Sequence, residues 1–311
     1  MRFWLLPLAA ACLPLVTNPY TQFVVNLMLV YVLVAVGFNL VLGNLGQLAF
    51  ANTALFGIGA YSGAMLMAHA GWPFWAVIVP AGIAGAAAGF LASVTALRGI
   101  RVYYLAIVTL AFGELLRWVY IHGERATGGT DGLPVPPADF FGIALDSENA
   151  RFYAFLLIVT LIVKGVSNLL QSKIGRAIVA IRGNELASAS LAIATGRYIV
   201  LAFTLSGFVV GVAGSLFAVL IGRVIPESFG LIELILHFAM VLVGGLGSLS
   251  GSVLGAIALT ALPEYFRGFP GLYEMFFGGL LIVFLLAQPR GLAALGARWW
   301  PVLRDRYYRE H

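Results

Sequence analysis

Long apolar runs follow one another along the sequence, and they constrain the fold more than any other feature. The run Gln22–Leu42, for example, contains no charged residue. A helix that crosses a membrane needs about 20 consecutive apolar residues. Charged residues make up only 10% of this chain, whereas they make up about 25% of a soluble globular domain. The sequence therefore predicts an all-α polytopic membrane protein.

The length limits how the chain can be divided. About ten spans of ~20 residues would use roughly 200 of the 311 residues and leave about 110 for loops. Residues 1–311 are therefore predicted to form a single transmembrane domain. The net charge of +5 is attributed to arginines at the membrane surface, because no basic run interleaved with aromatic residues indicates nucleic-acid binding. The single cysteine, Cys12, excludes an intrachain disulfide and a cysteine-based metal cluster.

Ten apolar runs are predicted as spans. They are Phe3–Val16, Gln22–Leu42, Ala49–Ala70, Phe74–Leu97, Tyr103–Ile121, Phe152–Leu170, Ile199–Ile221, Leu231–Val243, Ser250–Leu262 and Tyr273–Leu286. The first run is short for a full crossing and could instead be a processed or interfacial segment. The eighth and ninth runs could form two thin spans or a re-entrant hairpin.

The distribution of basic residues orients these spans. With both termini in the cytoplasm, the outer segments contain five basic residues, namely Arg117, Arg125, Arg151, Arg223 and Arg267. The remainder of the 18 basic residues lies at the inner side, in agreement with the positive-inside rule. This orientation places the longest loop, residues 122–150, outside the cell membrane.

The stretch 172–198 is the longest polar interruption that is rich in basic residues. Its basic residues are Lys173, Arg176, Arg182 and Arg197. Isoleucines at i, i+4 and i+7, which are Ile174, Ile178 and Ile181, predict one short amphipathic helix. Asn184 is a suitable N-cap for a second helix, which Gly196 is predicted to end. Two short helices on the cytoplasmic face predict a docking surface for a soluble partner.

Two glycine-punctuated breaks resemble each other, Gly43–Leu48 (GNLGQL) and Gly244–Leu249 (GGLGSL). Interrupted apolar segments in the two halves of a transporter often indicate the substrate pathway. The alternative is that both are tight turns between packed helices. Near the first break, Gln47, Asn52 and Thr53 could hydrogen-bond a polar substrate, or they could satisfy unwound backbone within the membrane.

Ionisable residues inside predicted spans are functional candidates, because burying a charge in a membrane is costly. Glu114 could serve a pathway or gating role, or it could form a local pair with Arg117 at i+3. Glu233 and His237 are spaced i, i+4 and could relay protons or bind a metal. Two ligands are too few for a metal site, so interhelical hydrogen bonding is the preferred interpretation.

The outer loop contains the run TGGTDGLPVPP, whose glycines and prolines predict ordered turns. Four residues of this run are candidates for docking an external protein, namely Thr127, Gly128, Gly129 and Asp131. A plain cluster of turns is the alternative. No nucleophile with a base and no Walker-type phosphate loop is present in the sequence, so the chain is not expected to be an enzyme or to bind ATP itself.

Seven stretches in order along the chain resemble the LivM-type permeases of branched-chain amino acid ABC importers. They are Gly46-Gln47-Leu48, Leu55–Tyr61, Tyr104–Glu114, Thr127–Leu133, Gly175-Arg176-Ala177 with Arg182 and Glu185, Gly244–Ser248, and Gln288–Leu292. Together they cover roughly residues 25 to 292. The resemblance implies the ABC importer permease fold in the bacterial inner membrane, and a branched-chain or related amino acid as substrate. Urea or another small amide remains open as substrate.

The resemblance also implies partners. These are two ABC ATPase subunits that bind ATP and Mg²⁺, a homologous LivH-like permease, and a periplasmic substrate-binding protein. It implies ATPase coupling through Gly175, Arg176, Ala177, Arg182 and Glu185. The family commonly has further acidic residues after the arginine, whereas here a single carboxylate, Glu185, follows Arg182. A stand-alone secondary transporter or channel is the alternative function, and Glu114 and Glu233 would be its relay residues.

Overall fold

The computed structural model describes residues 18–98, 102–265, 278–279 and 291–293, together with residues 10, 11 and 14. The predicted spans Phe3–Val16 and Tyr273–Leu286 lie almost entirely outside these described residues. Within them the chain is mostly helical, which agrees with the predicted all-α class.

Eleven α-helices are described. They are α1 (Pro19–Asn39), α2 (Asn52–Ala70), α3 (Phe74–Ser93), α4 (Val102–His122), α5 (Glu124–Thr127), α6 (Glu148–Gln171), α7 (Lys173–Gly183), α8 (Glu185–Ser190), α9 (Thr195–Ile221), α10 (Leu231–Gly244) and α11 (Leu249–Tyr265). A π-helical segment, Leu40–Leu45, continues α1, and a 3₁₀ turn, Val94–Arg98, continues α3.

Four two-residue strands and two 3₁₀ turns lie in the connections. Strand β1 (Leu133–Pro134) pairs antiparallel with β4 (Arg223–Val224), and β2 (Asp139–Phe140) pairs antiparallel with β3 (Ile143–Ala144). The 3₁₀ turns are Gly129–Asp131 and Pro226–Phe229. The first strand pair ties the segment after α4 to the segment before α10.

Five described helices are long and apolar enough to cross a membrane. They are Pro19–Leu45, Phe74–Leu97, Tyr103–His122, Glu148–Gln171 and Thr195–Ile221. The shorter apolar helices α10 and α11 have 14 and 17 residues, which is about 21 and 26 Å at 1.5 Å per residue. The predicted total of about ten spans therefore stays a prediction.

Helix α9 forms the centre of the bundle because glycines let two other helices approach its backbone. A Cβ atom added to Gly85 of α3 would lie within 3.0 Å of the Gly207 carbonyl oxygen, and one added to Gly207 would meet the Gly85 oxygen in the same way. One turn further along α9, a Cβ on Gly59 of α2 would collide with the backbone of Gly211. Small residues permit such close packing of helices in lipid, so α2, α3 and α9 form a rigid block.

Helix α10 begins beside a cluster of aromatic rings. The turn before it places Phe229 against Tyr61, halfway along α2, with ring centroids 5.8 Å apart. Phe229 also contacts Phe56 and Tyr120 at 5.6 and 6.0 Å. Aromatic rings in such edge and tilted arrangements anchor a turn efficiently, so α10 starts at the level of this aromatic layer.

The prediction that Gly196 ends the second short helix is wrong. Helix α8 ends at Ser190, and Gly196 lies in the first turn of α9. The chain leaves α8 through Ala192, whose φ is +61°. A Cβ on Gly196 would lie 2.8 Å from the Ala96 oxygen. Gly196 is therefore required by close packing against the end of α3.

Candidate functional site

The two glycine breaks are in direct contact. The side-chain amide of Asn39 donates from Nδ2 to the Ser248 carbonyl oxygen at 3.0 Å and accepts at Oδ1 from the Gly247 N–H at 2.9 Å. Asn44 Nδ2 donates to the Gly247 oxygen at 3.0 Å. We call the two breaks, residues 43–48 and 244–249, the glycine hub. The similarity of their sequences reflects two turns that bind each other.

Backbone geometry explains why the hub is rich in glycine. Gly46 and Gly247 have φ values of +77° and +84°, a region that L side chains rarely adopt. At Gly43 an added Cβ would collide with the Gly247 nitrogen and the Asn39 side chain. The interpretation of both breaks as tight turns between packed helices is thus confirmed. The π-helical turn Leu40–Leu45 is also of a kind that recurs at functional sites.

Arg182, near the end of α7, lies across the hub. A Cβ on Gly46 would be 3.0 Å from Arg182 Cγ, and one on Gly247 would be within 3.0 Å of Arg182 Nη1. The aliphatic stem therefore covers the first break, and the guanidinium reaches the second. Gly291 joins the same place, because its own added Cβ would approach Gly245 Cα to 2.5 Å.

The predicted pair of short helices is confirmed by its caps. Ser172 Oγ accepts from the N–H groups of Ile174 and Gly175 at 3.2 and 3.4 Å and caps α7. Asn184 Oδ1 accepts from the Ala187 N–H at 3.0 Å and caps α8. Ile178 and Ile181, two residues of the predicted apolar face of α7, are buried.

The remaining candidates for coupling have different environments. Gly175 is buried, and an added Cβ would collide with the Leu170 backbone, so this glycine permits the sharp turn from α6 into α7. Arg176 is exposed and donates from Nη1 to the Gln171 oxygen at 3.2 Å. Ala177 and Glu185 are half-buried.

Two exposed leucines on and just after α8 were not among the predicted candidates. Leu186 is 84% exposed and Leu191 is 78% exposed. Large apolar side chains exposed in this way, beside basic residues, are typical of a surface that another protein covers. Their position in a polar loop was the signal that could have identified them.

A buried polar pair links α2 to α10. Asn52 Nδ2 lies 3.1 Å from His237 Nδ1, and the two residues are 1% and 0% exposed. The rings of Tyr31 and Phe56 flank the imidazole at centroid distances of 5.8 Å. Interhelical hydrogen bonding by His237 is therefore confirmed. Its bond runs to Asn52 and not to Glu233, whose Oε2 is buried without a partner among the described residues.

The predicted pathway residues fall into two groups. Gln47, Asn52 and Thr53 are all buried beside the first break. Glu114 instead lies on an exposed face of α4, where its side chain is 55% exposed and pairs with Arg117 Nη1 at 3.6 Å. The local pair is thus confirmed. The face of α4 that carries it also exposes large apolar side chains, namely Tyr103, Tyr104, Ile107, Leu115 and Trp118.

At the opposite end of the bundle, the predicted docking run forms an ordered loop. Thr127 Oγ1 donates to the Tyr120 oxygen at 2.7 Å and accepts from the Gly129 N–H at 3.3 Å. Thr127 and Gly129 are buried and Gly128 has a φ of +74°, so these residues shape the loop. Asp131 is exposed, and its carbonyl oxygen accepts from Arg223 Nη1 at 2.9 Å.

Comparison with known proteins identifies the family. The model of the family described as branched-chain amino acid transport system / permease component matches residues 20–286. The chain belongs to this family. The resemblance predicted from seven separate motifs is thereby confirmed, and with the five long apolar helices the chain is a multi-pass membrane protein.

Relatives of this permease family match over most of their length. The high-affinity branched-chain amino acid transport system permease protein LivM of Escherichia coli (strain K12) is 34% identical over 93% of this chain and 73% of its own length. LivM of Salmonella typhimurium (strain LT2) is 33% identical over 86% and 69%. The corresponding LivH protein of Escherichia coli (strain K12) is 26% identical over 84% and 90%. No solved structure matches the chain significantly.

Proposed function

We propose that this chain is the membrane permease subunit of an ATP-driven ABC importer for branched-chain or related amino acids. The observation that carries the proposal is the position of Arg182. Its side chain connects the pair of short helices α7 and α8 directly to both glycine breaks. The names of the three relatives described above, each a permease of branched-chain amino acid transport, support the substrate class. Its location is the bacterial inner membrane, with both termini in the cytoplasm.

In this orientation α7 and α8 lie at the cytoplasmic face and dock two ATPase subunits, which bind ATP and Mg²⁺. Leu186 and Leu191 provide the apolar part of the docking surface, and Arg176 and Glu185 provide its charged part. Closure of the ATPase pair displaces α7. Because Arg182 rests on the hub, the displacement reaches α1 and α2 through the first break, and α10 and α11 through the second.

A second, LivH-like permease covers α4. A half-exposed ion pair on a membrane helix is costly when it faces lipid, and the Glu114–Arg117 pair lies on the exposed face of α4. A homologous subunit packed against this face shields the pair and forms the other wall of the substrate pathway. Glu114 is then a pathway residue supplied by the interface between the permeases.

At the outer face, the loop around Asp131 receives a periplasmic binding protein that delivers the amino acid. The exposed carboxylate of Asp131 and the neighbouring exposed Thr130 are held in place by the buried Thr127 and by the bond from Arg223. A loop of fixed shape with an exposed acidic tip suits a transient, charged contact.

The test is native purification of the tagged chain from a bacterium that carries the complete system. Wild type and the exposed-residue control Ile143→Ser are expected to retain two ATPase subunits and a second permease. The variant with Leu186→Ser and Leu191→Ser is expected to lose the ATPases but keep the second permease. Mass spectrometry of the eluate distinguishes these outcomes.

Reconstitution in liposomes then tests the transport reaction. Uptake of leucine is expected to require ATP and the binding protein. A chain that purifies alone and moves leucine without ATP would instead be a secondary transporter, and the proposal would be wrong. If urea stimulates ATP hydrolysis and leucine does not, the importer mechanism is retained and the proposed substrate is wrong.

A further inference from the structure

Helix α2 begins inside the bundle without a cap. Ala51, the residue before the helix, offers no side-chain acceptor, and the first backbone hydrogen bond of the helix runs from Leu55 N to the Ala51 oxygen at 2.9 Å. The N–H groups of Asn52, Thr53 and Ala54 are therefore the free donors that every helix start presents. All three residues are buried.

The start of α2 also lies at depth. Gly59 packs against Gly211 and Gly63 against Ser215, so α2 and α9 run parallel. This register places Asn52 roughly 14 Å along α9 from its first residue, at 1.5 Å per residue. A helix start with free N–H groups inside a membrane bundle is the arrangement that binds anionic substrate groups in transporters with interrupted helices.

His237 adds a second and independent indication of a ligand. Its Nδ1 lies 3.1 Å from Asn52 Nδ2, an amide donor. A neutral imidazole that accepts at Nδ1 carries its proton on Nε2. Nε2 is buried and has no hydrogen-bond partner among the described residues. A buried donor without an acceptor is costly, so Nε2 is available to an acceptor that a ligand brings.

Two acceptors lie beside this donor set. Asn52 Oδ1 and Glu233 Oε2 are both buried without a partner in the described part of the chain. Glu233 precedes His237 by one helical turn on the same face of α10. The group that fills the site must therefore accept hydrogen bonds at one end and donate them at the other.

The site lies directly behind the proposed pathway helix. Gly113 of α4 approaches the start of α2, because an added Cβ would be 3.5 Å from the Phe50 oxygen and 3.6 Å from Ala51 Cα. Thr109 Oγ1 accepts from the Phe50 N–H at 3.2 Å. The residue after Gly113 is Glu114, so the start of α2 and the exposed face of α4 are separated by the width of one helix.

We infer that the start of α2 together with His237 binds the carboxylate of the transported amino acid, and that Glu233 and Asn52 Oδ1 receive its ammonium group. This inference rests on the proposed function. A zwitterionic head group carries the acceptors and donors that the unpaired atoms demand. It reaches the site from the pathway when α4 moves away from the start of α2, and His237 is the residue that recognises the carboxylate.

The test measures ligand binding to the complete purified complex in lipid nanodiscs, with no binding protein present. The probes are leucine and leucinol, which has the same side chain and ammonium group but no carboxylate. His237→Asn retains an acceptor near the Nδ1 position for Asn52 and removes the Nε2 donor, whereas His237→Gln retains a donor near Nε2. His69→Asn, an exposed histidine at the other end of α2, is the matched control.

For wild type, leucine is expected to bind at least about tenfold more tightly than leucinol, as befits a charge-assisted hydrogen bond. His237→Asn is expected to weaken leucine binding about tenfold and to leave leucinol binding unchanged. His237→Gln and His69→Asn are expected to remain close to wild type for leucine. If His237 had a purely structural role, His237→Asn would weaken the binding of leucine and leucinol equally.

Two outcomes overturn the inference. In one, leucinol binds wild type as tightly as leucine, as a site filled only by structural water predicts. In the other, His237→Asn weakens both probes equally or neither of them. Copurification of the ATPases and ATP-dependent leucine uptake are measured on the same preparations. If wild type neither copurifies with the ATPases nor takes up leucine with ATP, the proposed function is refuted. If His237→Asn shows normal uptake and unchanged leucine binding, this inference alone is refuted.

Discussion

The substitution Gly247→Ala tests whether Arg182 transmits motion to the hub. At φ +84° an alanine is strained by about 1–2 kcal/mol. The new Cβ would also lie within 3.0 Å of Arg182 Nη1. The guanidinium is the end of a flexible side chain, so it yields by about 1 Å to regain a normal contact distance. The fold is expected to persist, with the Arg182 guanidinium displaced from the hub.

The expected effect is on coupling. The close contact between the new Cβ and the guanidinium costs about 1–3 kcal/mol, and only this contact differs between the two arrangements of Arg182, because the backbone strain is present in both. It disfavours the position of Arg182 on the hub by a factor of about 5–150. Leucine uptake per ATP hydrolysed is therefore expected to fall roughly tenfold in proteoliposomes, with basal ATP hydrolysis retained. Arg182→Ala is expected to show the same loss, and adding Gly247→Ala to it should cause little further change, because residues in contact are not additive.

Two controls separate contact from strain. Gly222 has a similar φ of +76° but no heavy atom within 4 Å of an added Cβ, so Gly222→Ala introduces strain alone. Gly183 follows Arg182 and also has open space around it, so Gly183→Ala tests substitution in the same helix. If leucine uptake per ATP hydrolysed is the same in Gly247→Ala as in Gly222→Ala, the role assigned to Arg182 is refuted.

Three further substitutions test the packing that supports the site. Gly207→Ala must push α9 away from the Gly85 carbonyl and is expected to destabilise the fold by about 1–3 kcal/mol, seen as a lower midpoint of thermal unfolding, whereas Gly165→Ala in open space should not. Asn39→Ala removes both hydrogen bonds to the second break and is expected to cost about 2–4 kcal/mol; an unchanged unfolding midpoint would contradict the hub. Thr127→Val removes the bond to the Tyr120 oxygen and should speed proteolysis of residues 122–147, and Thr127→Ser should restore protection.

Local patterns predicted the parts of the fold that depend on neighbouring residues. The buried faces at Ile178 and Ile181 and the cap at Asn184 follow from the spacing of residues within two or three helical turns. The glycine breaks were also recognised, because glycine at a positive φ leaves a clear mark in the sequence. These features need no knowledge of distant parts of the chain.

Contacts between distant segments were beyond that reasoning. Asn39 and Gly247 are 208 positions apart, and nothing in either segment specifies its partner. Gly196 was misassigned for the same cause, since its neighbour Ala96 belongs to another helix. The exposure of Glu114 likewise depends on which face of α4 the rest of the bundle covers, and a single sequence does not show that face.

The short strand pair β1–β4 has a consequence for control. It ties the Thr127–Leu133 loop to the segment that leads into α10, and the other end of α10 is part of the hub. In the proposed importer, α10 therefore connects the external docking loop to the hub at the cytoplasmic side. Thermodynamic linkage makes such an arrangement reciprocal: if a docked binding protein changes the affinity for the ATPases by some factor, the ATPases must change the affinity for the binding protein by the same factor.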